Sequence, residues 1–127
     1  MSVESHFVVR STHLNHEGHL FGGDLMAAMD ELGYCEARAA YPGRRFVTRA
    51  AEVQFVRPAR LGDVIRFAAA VEGAGTTSVR VAVAGRVGDD TIGVAHMVYV
   101  SLDAAGHKSP LARAGQRGRR RRLGGRP

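Results

Sequence analysis

In the stretch "NHEGHLFGGDLMAAMD", residues 15–30, an asparagine, a glycine pair and a carboxylate are spaced in a way that could serve chemistry at a carbonyl group. Attack on a carbonyl needs donors that strengthen as its oxygen gains charge, and a base or nucleophile at its carbon. Backbone N–H groups of Gly22, Gly23 and Asp24 would stand unpaired at the start of a helix, where the positive dipole end favours an oxyanion. Glycine there lets a substrate come close. Asp30, almost two turns further on, has Met26, Ala27, Gly33 and Tyr34 as its helical neighbours. A carboxylate among such groups is costly to desolvate and is a candidate base or nucleophile. Asn15 could donate a side-chain amide hydrogen bond to the carbonyl or to water. Each residue also has an ordinary reading: Asp30 as the partner of Arg49 or Arg57, the glycines as a loop-to-helix joint, Asn15 as a turn residue.

The elements that must position these groups follow from periodicity. Residues 5–10, "SHFVVR", read as a short strand, and residues 11–23 as a loop rich in His, Asn and Gly. From Asp24 to about Ala40 the Ala, Leu and Met content predicts a helix, stopped by Pro42-Gly43. Asp24, Glu31 and Arg38 fall on one polar stripe of that helix, and the rest of its surface is expected to be buried. After it the period becomes two, in "RFVTRAAEVQFV", "DVIRFAAAVEG", "TSVRVAVAGRV" and "TIGVAHMVYVSLD". Their short separators predict four antiparallel strands in a meander, with the helix covering one face.

The chain has 127 residues, 45% of them hydrophobic, which fits one α+β domain with a modest core over residues 1–111. No apolar run reaches membrane-spanning length and the start lacks a signal-peptide layout, so a soluble, cytoplasmic protein is expected. Cys35, the single cysteine, excludes an intrachain disulfide and reads as a small core side chain. The formal charge of +6 is not a property of the body. Residues 113–127 hold seven arginines and no acid, leaving eleven basic against twelve acidic residues elsewhere. Residues 112–127, "ARAGQRGRRRRLGGRP", are aperiodic and like-charged, and are expected to be a disordered tail.

One helix laid on an antiparallel sheet in the order β-α-β-β-β-β is the layout of the hotdog fold. Asn15, Gly18, Leu20, Phe21, Gly22, Gly23, Met26, Met29 and Asp30 resemble, at matching spacing, the signature of the hotdog acyl-CoA thioesterases. "FVRPARLGD" at residues 55–63 and "GTTSVRV" at residues 75–81 are similar to further segments of that family. The resemblance implies hydrolysis of the thioester of acyl-CoA to free acid and coenzyme A, without metal or organic cofactor. It implies a site shared between two protomers, Asp30 of one facing the glycine turn and asparagine of the other. Asp30 would activate water or attack directly, and Gly23 with Asn15 would polarise the carbonyl. Phe21, Gly22, Arg57, Thr77 and Ser78 are expected to bind substrate, Arg57 toward the phosphates of coenzyme A; Arg60 and Arg80 are further candidates for those phosphates.

A helix over one sheet face leaves its far side to be covered, so at least a dimer is expected, paired further into a tetramer or hexamer. The alternative function is a non-catalytic acyl-CoA-binding hotdog module, which would not require a buried carboxylate beside the thioester. A dehydratase of this fold would want a histidine paired with an acid, and His96 alternates with core-like Ala95 and Met97, pointing to the other sheet face. His13, His16 and His19 lack a completing set of metal ligands. The run "RGRRRR" could draw nucleic acid or an acidic surface by charge alone, but no aromatic residues are interleaved for base stacking.

Overall fold

The computed structural model describes residues 2–111. Its elements are β1 (Ser2–Val8), a 3-10 turn (Ser11–His13), α1 (Gly22–Ala40), β2 (Arg45–Phe55), β3 (Val64–Ala74), β4 (Ser78–Val87) and β5 (Asp90–Leu102). One helix and five antiparallel strands in this order are the expected hotdog architecture. The Arg-rich segment 112–127, and the expectation that it is a disordered tail, lie outside the described residues.

The strand order corrects the expected four-strand meander. β3, β4 and β5 are hairpin neighbours, but β2 pairs with β5 and β1 takes the place beside β3, giving β1-β3-β4-β5-β2. The physical reason lies in the link between β2 and β3. Instead of closing a hairpin it runs along one end of the sheet, where the Val56 N–H bonds to the Ile92 carbonyl at 2.8 Å and residue 60 bridges His19. β2 is therefore an edge strand.

Alternation sets the core. Ile65, Phe67 and Ala69 of β3, Val79, Val81 and Val83 of β4, and Ala95, Met97 and Tyr99 of β5 join Leu25, Met29, Leu32 and Ala37 of α1 in one buried cluster. Gly93 lets the helix sit close to the sheet, since a Cβ there would lie 3.1 Å from Met29 Cε. Tyr41 N–H closes the last helical turn on the Ala37 carbonyl at 3.0 Å before Pro42 ends it.

Only one stripe of α1 is buried, comprising Leu25, Met29, Leu32, Gly33, Glu36 and Ala37. Met26 and Cys35 are exposed, so the helix is not buried outside its polar stripe and Cys35 is not a core side chain. A single sheet covers one side of a helix and no more. Phe21 just before α1, Met26 on α1, and Phe55 and Val56 at and just beyond the end of β2 are exposed apolar residues, and Val47 near the start of β2 is exposed on the other sheet face. Among the described residues no helix is long and apolar enough to cross a membrane.

Candidate active site

The loop before α1 is built around Asn15. Its Oδ1 accepts the N–H groups of Glu17 at 2.9 Å and His19 at 3.1 Å, and Gly18 takes a positive φ of 78° to complete the turn. Asn15 is thus a turn residue as well as a candidate donor: its side-chain NH2 has no partner among the described residues. Phe21 N–H returns to the His13 carbonyl at 2.8 Å, which sets the chain's entry into the helix.

Phe21 caps α1 in an extended conformation without a side-chain hydrogen bond. Its carbonyl accepts the N–H of Asp24 at 3.0 Å, so Asp24 is not one of the free donors expected at this terminus. The N–H groups of Gly22 and Gly23 have no partner among the described residues and stand at the positive end of the helix dipole. The Phe21 ring covers Gly23 so closely that a Cβ there would come within 2.6 Å of it.

Asp30 is half-buried, two turns along α1. Its Oδ1 accepts hydrogen bonds from Thr48 Oγ1 of β2 at 2.8 Å and from Tyr99 OH of β5 at 3.0 Å. The same Tyr99 hydroxyl lies 2.9 Å from the Asp30 backbone carbonyl. Asp30 Oδ2 has no partner among the described residues, and no arginine pairs with the carboxylate there. Arg57 instead pairs with Asp90 at 3.2 Å and donates to the Pro58 carbonyl.

Two local features deliver those donors. β2 carries a bulge between Thr48 and Ala50, and Thr48 stays on the helix side with Ala51 and Val53, opposite the buried positions of β5. Tyr99 is fully buried and passes beneath α1 at Gly33, where any Cβ would collide with the phenolic oxygen. Burial, and after it the nearby Asp30 carboxylate, hold the phenol well above its ordinary range, so it stays protonated and donates.

The remaining candidates are distributed between two ends of the sheet. Phe21, Gly22 and Arg57 lie at the end where β2 finishes, with the Phe55 ring 3.4 Å from a Cβ built on Gly22. Thr77 and Ser78 lie at the other end, in the turn entering β4, where the Thr77 carbonyl accepts the Ser101 N–H at 2.7 Å. Within one chain the fold does not bring these two groups together. Arg80 is engaged with Glu72 at 2.9 Å on the outward sheet face, and His96 Nδ1 lies 2.6 Å from the same carboxylate oxygen. These partners, His96 first, hold the Glu72 carboxyl below its usual range. His13 accepts the Arg10 N–H at 2.9 Å and packs on Phe7. Thr48 and Tyr99, missed by sequence reasoning, belong to the Asp30 site.

The sequence profile described as Thioesterase superfamily matches residues 17–94, more than half of this chain, and the chain belongs to that superfamily. The acyl-CoA thioester hydrolase YciA of Salmonella typhimurium is 32% identical over 106 residues, which span 76% of this chain and 80% of that one. The acyl-CoA hydrolase of Staphylococcus aureus, solved in complex with butyryl coenzyme A, coenzyme A and coenzyme A disulfide, superimposes with a TM-score of 0.83 at 28% identity, covering 94% of this chain and 76% of its own. Variants of that enzyme with an aspartate, a threonine or an asparagine replaced by alanine have also been solved. The hexameric hotdog-fold thioesterase Cj0915 of Campylobacter jejuni gives a TM-score of 0.77 at 30% identity, over 85% of this chain and 88% of that one.

Proposed function

We propose that this chain is an acyl-CoA thioesterase that hydrolyses the thioester to a free acid and coenzyme A, with Asp30 as the reacting carboxylate. Asp30 Oδ2 either takes a proton from an attacking water or bonds to the thioester carbon. In the second route the C–S bond breaks, coenzyme A leaves as its thiolate, and water opens the resulting anhydride. Neither route calls for a metal or an organic cofactor. The carbonyl oxygen would rest on Gly23 N–H and the Asn15 side-chain amide, with Phe21, Gly22, Arg57, Thr77 and Ser78 contributing to coenzyme A binding.

The observation that carries this reading is the state of Asp30: a half-buried carboxylate with both hydroxyl donors on one oxygen and, among the described residues, no partner on the other oxygen and no paired cation. In the S. aureus enzyme the asparagine and aspartate chosen for replacement are separated by the same length of sequence as Asn15 and Asp30. The test is thiol release from short, medium, long and aryl acyl-CoA substrates by wild type and Asp30→Asn. Loss by orders of magnitude in a folded variant supports the assignment. Acyl-CoA binding by the wild type without thiol release would replace it with the binding-module reading.

The site is read as shared between copies of the chain, in a dimer built up to a tetramer or hexamer. Gly23 and Asp30 are seven residues apart on one helix, about 10 Å along its axis. For direct attack the carboxylate must approach the carbonyl carbon to about 3–3.5 Å while the oxyanion donor sits about 3 Å from the oxygen. A neighbouring copy can close that gap. The exposed apolar residues on α1, on β2 and just past β2 suit such an interface, and the C. jejuni relative is hexameric. A stable monomer in light scattering would overturn the shared site. A cytoplasmic location belongs to the same reading, since coenzyme A esters are polar intracellular metabolites.

A further inference from the structure

Tyr99 is the largest of the fully buried side chains, yet it ends on Asp30. The phenolic proton has two acceptors on one residue, the Asp30 backbone carbonyl at 2.9 Å and Oδ1 at 3.0 Å. Thr48, the cross-strand partner of Tyr99 on the adjacent edge strand β2, brings a second donor to the same Oδ1. With two donors on one oxygen, twisting the carboxylate out of its present plane would weaken both bonds, so the group is held in one orientation with its second oxygen turned away from them. The backbone bond matters separately, because it ties the donor to the helix turn that carries the carboxylate.

The path of the phenol is equally specific. It reaches Asp30 only because residue 33 has no side chain; a Cβ at Gly33 would clash with the hydroxyl oxygen. Tyr34 packs edge-on against the Tyr99 ring, with centroids 6.5 Å apart, and fixes it laterally. A tyrosine needed for volume alone would not require a glycine cut into the covering helix.

We propose that Tyr99, admitted by Gly33, is a positioning residue for thioester hydrolysis: it fixes the orientation in which the Asp30 carboxylate presents its free oxygen to the substrate. The proposal rests on the reading of Asp30 as the reacting carboxylate. Tyr99 touches neither substrate nor reacting atom and acts through Asp30.

The test is steady-state hydrolysis of an active acyl-CoA substrate by wild type, Asp30→Asn, Tyr99→Phe and Gly33→Ala, each as the intact oligomer and with rates normalised to folded protein. For Tyr99→Phe the expected result is a fall in kcat of about tenfold or more with KM within twofold, and a crystal structure in which the Asp30 carboxylate has turned or occupies two rotamers. A kcat within twofold of wild type overturns the proposal, as does a KM that rises to account for the loss. Should Tyr99→Phe fail to fold, Gly33→Ala displaces the same hydroxyl from the helix side and is held to the same criteria. If Asp30→Asn retains wild-type activity, the reading of Asp30 itself has failed. If Asp30→Asn is inactive and Tyr99→Phe is not slowed, only the role of Tyr99 has failed.

Discussion

Thr48 Oγ1 lies 2.8 Å from Asp30 Oδ1, linking the exposed edge strand directly to the carboxylate on the central helix. The bond is made at the β2 bulge, so it depends on local strand irregularity as well as on side-chain type. Thr48→Val removes the donor while keeping a β-branched strand residue, and is expected to lower kcat about tenfold with little change in thermal stability. Thr48→Ser should recover most of the activity. Steady-state kinetics on the pair checks this.

Gly22→Pro examines the helix terminus. Phe21 already has φ −64° and ψ 131°, the extended conformation a following proline prefers, and the first helical position tolerates the ring. The variant is expected to fold with an unchanged or higher Tm. Because it deletes the Gly22 N–H and spares that of Gly23, KM for acyl-CoA should rise several-fold with kcat within about twofold. A kcat loss of two orders of magnitude would instead make Gly22 the principal oxyanion donor.

Glu36 gives a pH-dependent prediction. It is fully buried on α1; Oε2 accepts the Val71 N–H at 3.2 Å, while Oε1 has no partner among the described residues. Burial pushes its carboxyl from an ordinary 4.5 up to about 7. Between those values the folded state holds a proton that the unfolded chain has released, so the stability it contributes is fully present below 4.5 and lost as pH rises through 7. Glu36→Gln, which cannot ionise, should therefore gain Tm relative to wild type at pH 8 and gain little at pH 4.5. Thermal melts at several pH values check the slope.

Val47 is exposed near the start of the edge strand β2, on the sheet face away from α1. Val47→Lys places a charge there without touching the core, and is expected to shift the protein toward smaller oligomers with a parallel loss of thiol release. Light scattering and activity measured on the same sample test whether the two losses coincide.

Much of the fold was legible because each element is strongly periodic. The helix and the four later strands fall within a residue or two of their expected limits, and Asp30 stood out as the carboxylate off the polar stripe. Strand order was not legible: alternation marks a strand's faces, not its neighbours, and the long link after β2 looks like any other turn-rich connection. Asp30's two donors were hidden for a similar reason. Thr48 is 18 residues away and Tyr99 is 69, and nothing local in "VTRA" or "MVYVS" announces that either hydroxyl reaches the helix. Glu36 was hidden by its type, since a glutamate in a helix ordinarily faces water.

The spacing of Gly23 and Asp30 along one helix bears on how the enzyme responds to dilution. If a ligand must touch the glycine turn of one copy and the carboxylate of another, it binds the assembled form and scarcely at all the separated one. Mass action then makes the effect reciprocal: substrate tightens subunit association by the same factor that association tightens substrate. At protein concentrations where the oligomer has come apart, hydrolysis would begin with a lag and accelerate as acyl-CoA gathers the subunits. The lag would lengthen as the enzyme is diluted and shorten as substrate is raised.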